Sequence, residues 1–306
     1  MTLPLLCCGP SPALQRALVF PAWEQSGDVV RATDVAWTVG GKATNAARAI
    51  VRAGGQATLL GFAGGDNGRR MAALLRAEGL EGLWVECESE TRICQTLLDG
   101  GHRRIRELVE EAGPVSLGEW GELFAETERA LLGHAALLLC GSLPRGTPSE
   151  AYATLAEIAV QHRRPWIIDA QGPALRAALP HRPWLVKINR AELAQTTGET
   201  EIPAGMAALR DAGAKLVLIT DGPETAWLLD GKKTRRFLLP SIEAVNPIGG
   251  GDTVCGVAAL ALAEGKDPVE AARAGLAAAL AQTLTPRPAE FDPAVAADFA
   301  RRIRVE

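Results

Sequence analysis

Short apolar runs alternate with helical patterns through most of this chain, and that alternation restricts its fold more than any other feature. Ala57 to Phe62, Ala135 to Cys140, Trp166 to Asp169, Trp184 to Lys187 and Lys215 to Thr220 read as buried strands. Between them the helix starts are signed. Thr147-Pro148-Ser149-Glu150 and Asp267-Pro268-Val269-Glu270 each offer an N-cap, a proline at the first helical position and a carboxylate three residues on. Ser116 and Glu119 form a third capping box, and Asp292-Pro293 opens the last helix. Strands separated by helices specify an α/β fold with a mostly parallel sheet covered by helices.

Two regions break the rhythm, at about 14–38 and 84–108, where strand-like segments such as Arg92 to Leu98 lack a following helix. They can pair into a small sheet beside the main one. With no proline- or serine-rich linker and no internal repeat, residues 1–306 read as one domain carrying a sheet-like lid.

Composition removes several function classes. A net charge of −4 argues against a surface built for nucleic acid or anionic lipid, so any anionic ligand must be held by local positive charge. The six cysteines make no CxxC pair, and His102, His134, His162 and His181 show no metal spacing, so buried free thiols are expected. No stretch reaches the ~18 apolar residues of a membrane span. The apolar N-terminal run is short, lacks early positive charge and closes in Gly9-Pro10-Ser11-Pro12, which suits a strand better than a secretion signal; a cytoplasmic protein is expected.

Two glycine clusters carry the chemistry. Gly249-Gly250-Gly251-Asp252 leads directly into an apolar helical run. Bare backbone amides at a helix N-terminus form an anion hole, although Asp252 alone could be an ordinary partner of the helix dipole. Gly40-Gly41-Lys42 also enters a helix, with Asn45 one turn on. A cation there has the wrong sign for the dipole, as expected if an anion binds between them; a plain strand-to-helix turn is the alternative. The chain lacks a GxxxxGK[ST] loop, a GxGxxG fingerprint and the protein-kinase motif set.

Taken together, the motifs resemble the PfkB carbohydrate kinase family, in its branch of 1-phosphofructokinase, 6-phosphofructokinase type 2 and tagatose-6-phosphate kinase. GGKATNAAR at 40–48 and NPIGGGDTVCG at 246–256 are similar to the two family signatures. GFAGGDNG at 61–68, Thr91-Arg92, GSLPRG at 141–146, KINRAEL at 187–193 and TDG at 220–222 fall between them in family order. The resemblance implies a ribokinase-like three-layer fold with a small β-sheet lid. It implies an ATP- and Mg²⁺-dependent kinase acting on a sugar phosphate, with Asp252 as the base and Gly249, Gly250 and Gly251 as the anion hole. Asn189 and Glu192 match the element associated with Mg²⁺ and the ATP phosphates, with Lys187 beside them, and Thr220 and Gly222 match a nucleotide loop. On the acceptor side Gly41, Lys42 and Asn45 match sugar contacts, Arg92 a holder of the acceptor's phosphate, and Ser142 a lining residue of the same pocket. Arg31 also fits the branch pattern.

Two positions depart from the family. Gln15 stands where an aspartate usually binds sugar hydroxyls; its amide can donate and accept, but loses the charge-assisted bond. Ala43 replaces a usual glycine after the lysine, where it would crowd the acceptor. These changes keep open a kinase for an unphosphorylated sugar or nucleoside, or a regulator of the same fold that has lost turnover. Exposed strand edges in the lid, and the habit of the family, imply a homodimer joined through the lids.

Overall fold

The computed structural model describes residues 3–21, 29–100, 104–148 and 150–306. The N-terminal part runs β1 (Leu5–Cys8), β2 (Ala13–Phe20), β3 (Asp34–Gly40), α1 (Lys42–Arg52), β4 (Ala57–Ala63), α2 (Gly65–Ala77) and β5 (Glu81–Glu86). There follow β6 (Ile93–Asp99), β7 (Arg104–Val109), α3 (Leu117–Leu131), β8 (Ala136–Cys140), α4 (Ala151–Gln161), β9 (Trp166–Asp169) and α5 (Gly172–Ala178). The remainder is β10 (Leu185–Asn189), α6 (Arg190–Thr197), α7 (Ile202–Asp211), β11 (Leu216–Asp221), β12 (Thr225–Asp230) and β13 (Lys233–Leu238). Helices α8 (Gly250–Ala263), α9 (Pro268–Thr283) and α10 (Pro293–Arg302) and the short β14 (Arg304–Val305) complete it.

The main sheet has the order β14-β13-β12-β11-β10-β9-β8-β1-β4-β5. From β11 to β5 every pairing is parallel, and the β12, β13 and β14 edge is antiparallel. Its central strands are apolar on both faces because both are covered. Along β8, Ala136, Leu138 and Cys140 enter one core with α1, α8 and α9, while Leu137 and Leu139 enter the other with Trp120, Tyr152 and Leu175. Two helical layers around one sheet give the three-layer α/β architecture the motifs implied.

A second sheet, β3-β2-β6-β7, stands beside the first. Both irregular regions supply it, but Trp84 to Glu86 do not: they belong to β5, which pairs with β4 at the main sheet's edge. Residues 22–28 and 101–103, parts of the two expected lid segments that include His102, lie outside the described residues.

Three of the signed helix starts are present. Asp267 accepts from the amides of Val269 and Glu270, Ser116 and Glu119 form a reciprocal capping box, and Asp292 caps Ala294. The fourth is displaced. Helix α4 begins at Ala151 with Glu150 at the cap, because the Thr147 hydroxyl donates to the Pro144 carbonyl at 2.6 Å, closing a turn instead; Ser149 lies outside the described residues.

Candidate active site

The ends of the parallel strands and the N-termini of two helices meet in one cavity of about 580 Å³. This is where ligands bind in open α/β sheets, outside the carboxyl ends of the strands. Helices α1 and α8 pack so closely that a Cβ at Gly256 would lie 2.4 Å from the Ala46 carbonyl. That contact sets their N-termini side by side, and the Asn45 amide donates to the Asp252 carboxylate at 2.8 Å.

Before α8 the chain turns sharply. Gly249 (φ 80°, ψ −2°) has the geometry of the third residue of a type II turn, a conformation suited to glycine. The Gly250 amide closes that turn on the Pro247 carbonyl at 3.3 Å, so it is partly spent; among the described residues the Gly249 and Gly251 amides meet no acceptor. Of the three amides expected to face an anion, two are thus left without a protein acceptor and the turn engages the third. Gly251 is confined from the other side, since a Cβ there would lie 2.6 Å from the Lys187 ammonium. Gln282 braces the loop from below, donating to the carbonyls of Asn246 and Ile248.

Against the cavity lies a network of ion pairs centred on Asp169, a residue not among the expected site residues. Asp169, at the end of β9, accepts from Lys42 at 2.6 Å through one oxygen and from Lys187 at 3.1 Å through the other. Lys42 also meets Glu192 at 2.9 Å. The cation at the start of α1 is thus answered by two carboxylates of this chain, so its charge is compensated within the protein itself. Burial works against the charge of Asp169, but Lys187 and Lys42 outweigh it and hold its pKa below the usual carboxylate range. For Lys42 and Lys187 burial likewise opposes the charge, and Asp169 leads the carboxylates that raise both pKa values. Asp252 goes the other way: burial first, then the Asp169 charge, push it up to about 6 against the pull of Lys42, Asn45 and Lys187.

The other expected residues fall in three places. Gly41, Lys42, Asn45, Arg92, Ser142 and Glu192 line the Asp252 cavity. Gln15 does not; it lines an adjoining cavity of about 240 Å³ and donates to Thr96 at 2.6 Å. Asn189, Thr220 and Gly222 line a third, more open recess beside α6. Asn189 and Glu192 form the capping box of α6, each binding the other's backbone amide. Arg92 gives hydrogen bonds to the carbonyls of Ser11, Pro12 and Glu110, which fixes its guanidinium at the cavity wall. Ala43 is buried with its methyl group where a Cβ on Gly9 would lie 2.5 Å away, so the small residue at 9 accommodates it. Ser11 was not among the expected site residues, yet its buried hydroxyl lines the cavity without a partner among the described residues.

The family model for pfkB family carbohydrate kinases matches residues 16–293. The chain belongs to the PfkB family. It is a sugar kinase by that membership, and PfkB kinases use ATP, generally with Mg²⁺. Phosphofructokinase-2 from Escherichia coli in complex with fructose-6-phosphate is similar over 99% of both chains, with 27% identity and a TM-score of 0.87. The possible 1-phosphofructokinase of Thermotoga maritima shares the fold at 19% identity and a TM-score of 0.89, covering 99% of this chain and 98% of that one. Arabidopsis thaliana ribokinase complexed with ribose and ATP shares it at 20% identity and a TM-score of 0.75, covering 98% and 99%. Against this PfkB background Asp169 could have been found: it is the one charge closing the apolar run Trp166 to Ile168, at the carboxyl end of a parallel strand.

Proposed function

We propose that this PfkB kinase transfers the γ-phosphoryl group of ATP to a hydroxyl of a sugar phosphate, with Asp252 taking the hydroxyl proton. One observation carries the reading: the half-buried Asp252 carboxylate, the Gly249 amide at a helix N-terminus and the Lys42 ammonium line a single cavity. The pKa of about 6 keeps Asp252 ionised at neutral pH while making it a stronger base than an ordinary aspartate. General-base catalysis of this kind contributes about 10²–10⁴ in rate. The Gly249 and Gly251 amides face charge that grows on the migrating group, and a well-placed donor of this type contributes about 2.7–4 kcal/mol.

The donor set fits a nucleotide-bound Mg²⁺. No cluster of three metal-ligating side chains is present among the described residues, and Mg²⁺ on a nucleotide needs only one or two carboxylates besides phosphates and water. Glu192 would hold it with Asn189 beside it, since a carboxylate offers about four lone-pair sites and two are engaged here. When bound, the ion neutralises phosphate charge. Lys42 and Lys187 add fixed positive charge around the same point, and Thr220 and Gly222 flank the recess that would take the nucleoside.

Arg92 supports a phosphorylated acceptor, because its planar fork retains donors after three backbone bonds and is held at the cavity wall. Escherichia coli phosphofructokinase-2, whose complex holds fructose-6-phosphate, supports the same substrate class. The buried free thiols support a reducing cytoplasm. A coupled assay of ADP release over fructose 6-phosphate, fructose 1-phosphate, tagatose 6-phosphate and the free sugars tests the reading. At least one sugar phosphate should be preferred, and Arg92→Gln should raise its KM much more than that of a free sugar. Equal effects on both, or ATP hydrolysis that no sugar accelerates, would refute it.

A further inference from the structure

A further cavity lies at the opposite ends of the central strands from Asp252, beneath the starts of β9, β10 and β11. Its volume is about 430 Å³, and its walls include Arg163, Arg164, Arg182, Lys215, Trp166 and Trp184. No carboxylate lines it among the described residues, although the chain as a whole is acidic with a net charge of −4. We propose that this basic cavity is a binding site for a small phosphate-bearing anion, separate from the catalytic cleft.

Backbone geometry separates these arginines from ordinary solvated charges. Five helices of this fold, α1, α2, α6, α7 and α8, end on a glycine in the left-handed region: Gly54, Gly79, Gly198, Gly213 and Gly265. After α4 that position is Arg163 (φ 54°), and after the single 3₁₀ turn Leu179–His181 it is Arg182 (φ 59°). A side chain there costs free energy that glycine avoids. Both substitutions for the usual glycine are arginines, and both line the same cavity.

Helix-dipole compensation explains only part of this set. Arg164 donates to the carbonyls of Leu131 and Leu132 at the end of α3, so its guanidinium has a structural task. The side chains of Arg163, Arg182 and Lys215 meet neither a carboxylate nor a carbonyl among the described residues. Arg182 follows one 3₁₀ turn, too short for a substantial dipole. Guanidinium groups remain charged at all working pH values and match phosphate oxygens in pairs. The Trp166 indole is fixed by its bond to the His181 carbonyl at 3.1 Å, which gives the cavity a rigid apolar floor.

Calorimetric titration with inorganic pyrophosphate, together with tryptophan fluorescence, tests the site. The wild type should show a binding class that the Arg163→Gly/Arg182→Gly double variant weakens by at least about tenfold. The variant should keep its kinase constants and melt no lower than the wild type, because glycine suits both backbone positions. Lys215→Glu, at an exposed position, should weaken the same class without relying on a backbone change, and Trp184→Phe should remove the fluorescence response. Identical isotherms for wild type, double variant and Lys215→Glu would overturn the proposal, since the anion would then bind only in the catalytic cleft. Absence of any binding up to about 10 mM would overturn it as well.

Discussion

Asp252 and Asp169 are aspartates of one charged cluster, yet their surroundings drive them in opposite directions. Asp169 sits between two ammonium groups and is held ionised; Asp252 has the Asp169 charge for a neighbour and is pushed up to about 6. Two carboxyls driven apart in this way are a pattern that separates a structural anion from a working base. A general base must be ionised to accept a proton, so with Asp252 in the proposed role kcat/KM should fall about tenfold per pH unit below about pH 6 and level off above it. A pH-rate profile whose acid limb broke near 4 instead would contradict the raised value. Linkage has the matching sign. A carboxyl whose folded pKa exceeds its unfolded one binds its proton more tightly when folded, so Asp252 costs stability as pH rises from about 4 to about 6. At this scale Asp252 was readable because its glycines are adjacent in sequence, whereas the role of Asp169 depends on Lys42 and Lys187, which come from other elements.

Local chemistry explains which elements could be read. The Asp267, Ser116 and Asp292 caps hold because each is completed within three residues. Thr147 offers the same letters but lies where the chain already turns at Pro144, and that competing bond wins. The antiparallel edge was missed although β12 and β13 join through the two-residue turn Gly231-Lys232, with Gly231 at φ 59°, because the turn signal is short and the pairing partner lies beyond it. Helix α8 carries the sharpest prediction at this level. Gly251→Ala adds a methyl 2.6 Å from the Lys187 ammonium, which is tied to Asp169 and cannot withdraw freely. Steady-state kinetics should show kcat lowered by about 10²–10³ with the fold intact, as expected when an anion-hole donor is displaced. An unchanged kcat would mean that the α8 terminus does not stabilise the migrating group.

Over the whole molecule, one sheet supplies strand ends to the site and the other supplies its wall and rim. Much of β7 is exposed, including Leu108 and Val109, and Val35 on β3 is exposed as well, so the small sheet presents apolar edges that a second copy could cover. A dimer mass in light scattering at micromolar concentration is the expected result; a stable monomer would rule out the lid-to-lid reading. The α/β layering was legible because it is written in every buried strand. The division of the site among three recesses was not, because Gln15, Asn189 and Asp252 are brought together only by how the sheets stand. The proposed function turns on whether Asp252 removes the acceptor's proton, and turnover of Asp252→Asn with ATP and its preferred sugar phosphate measures that directly. The variant should bind ATP normally, melt at the same or a higher temperature because a destabilised charge worth roughly 1–3 kcal/mol is gone, and lose about 10²–10⁴ in kcat. Near-normal turnover would contradict the account.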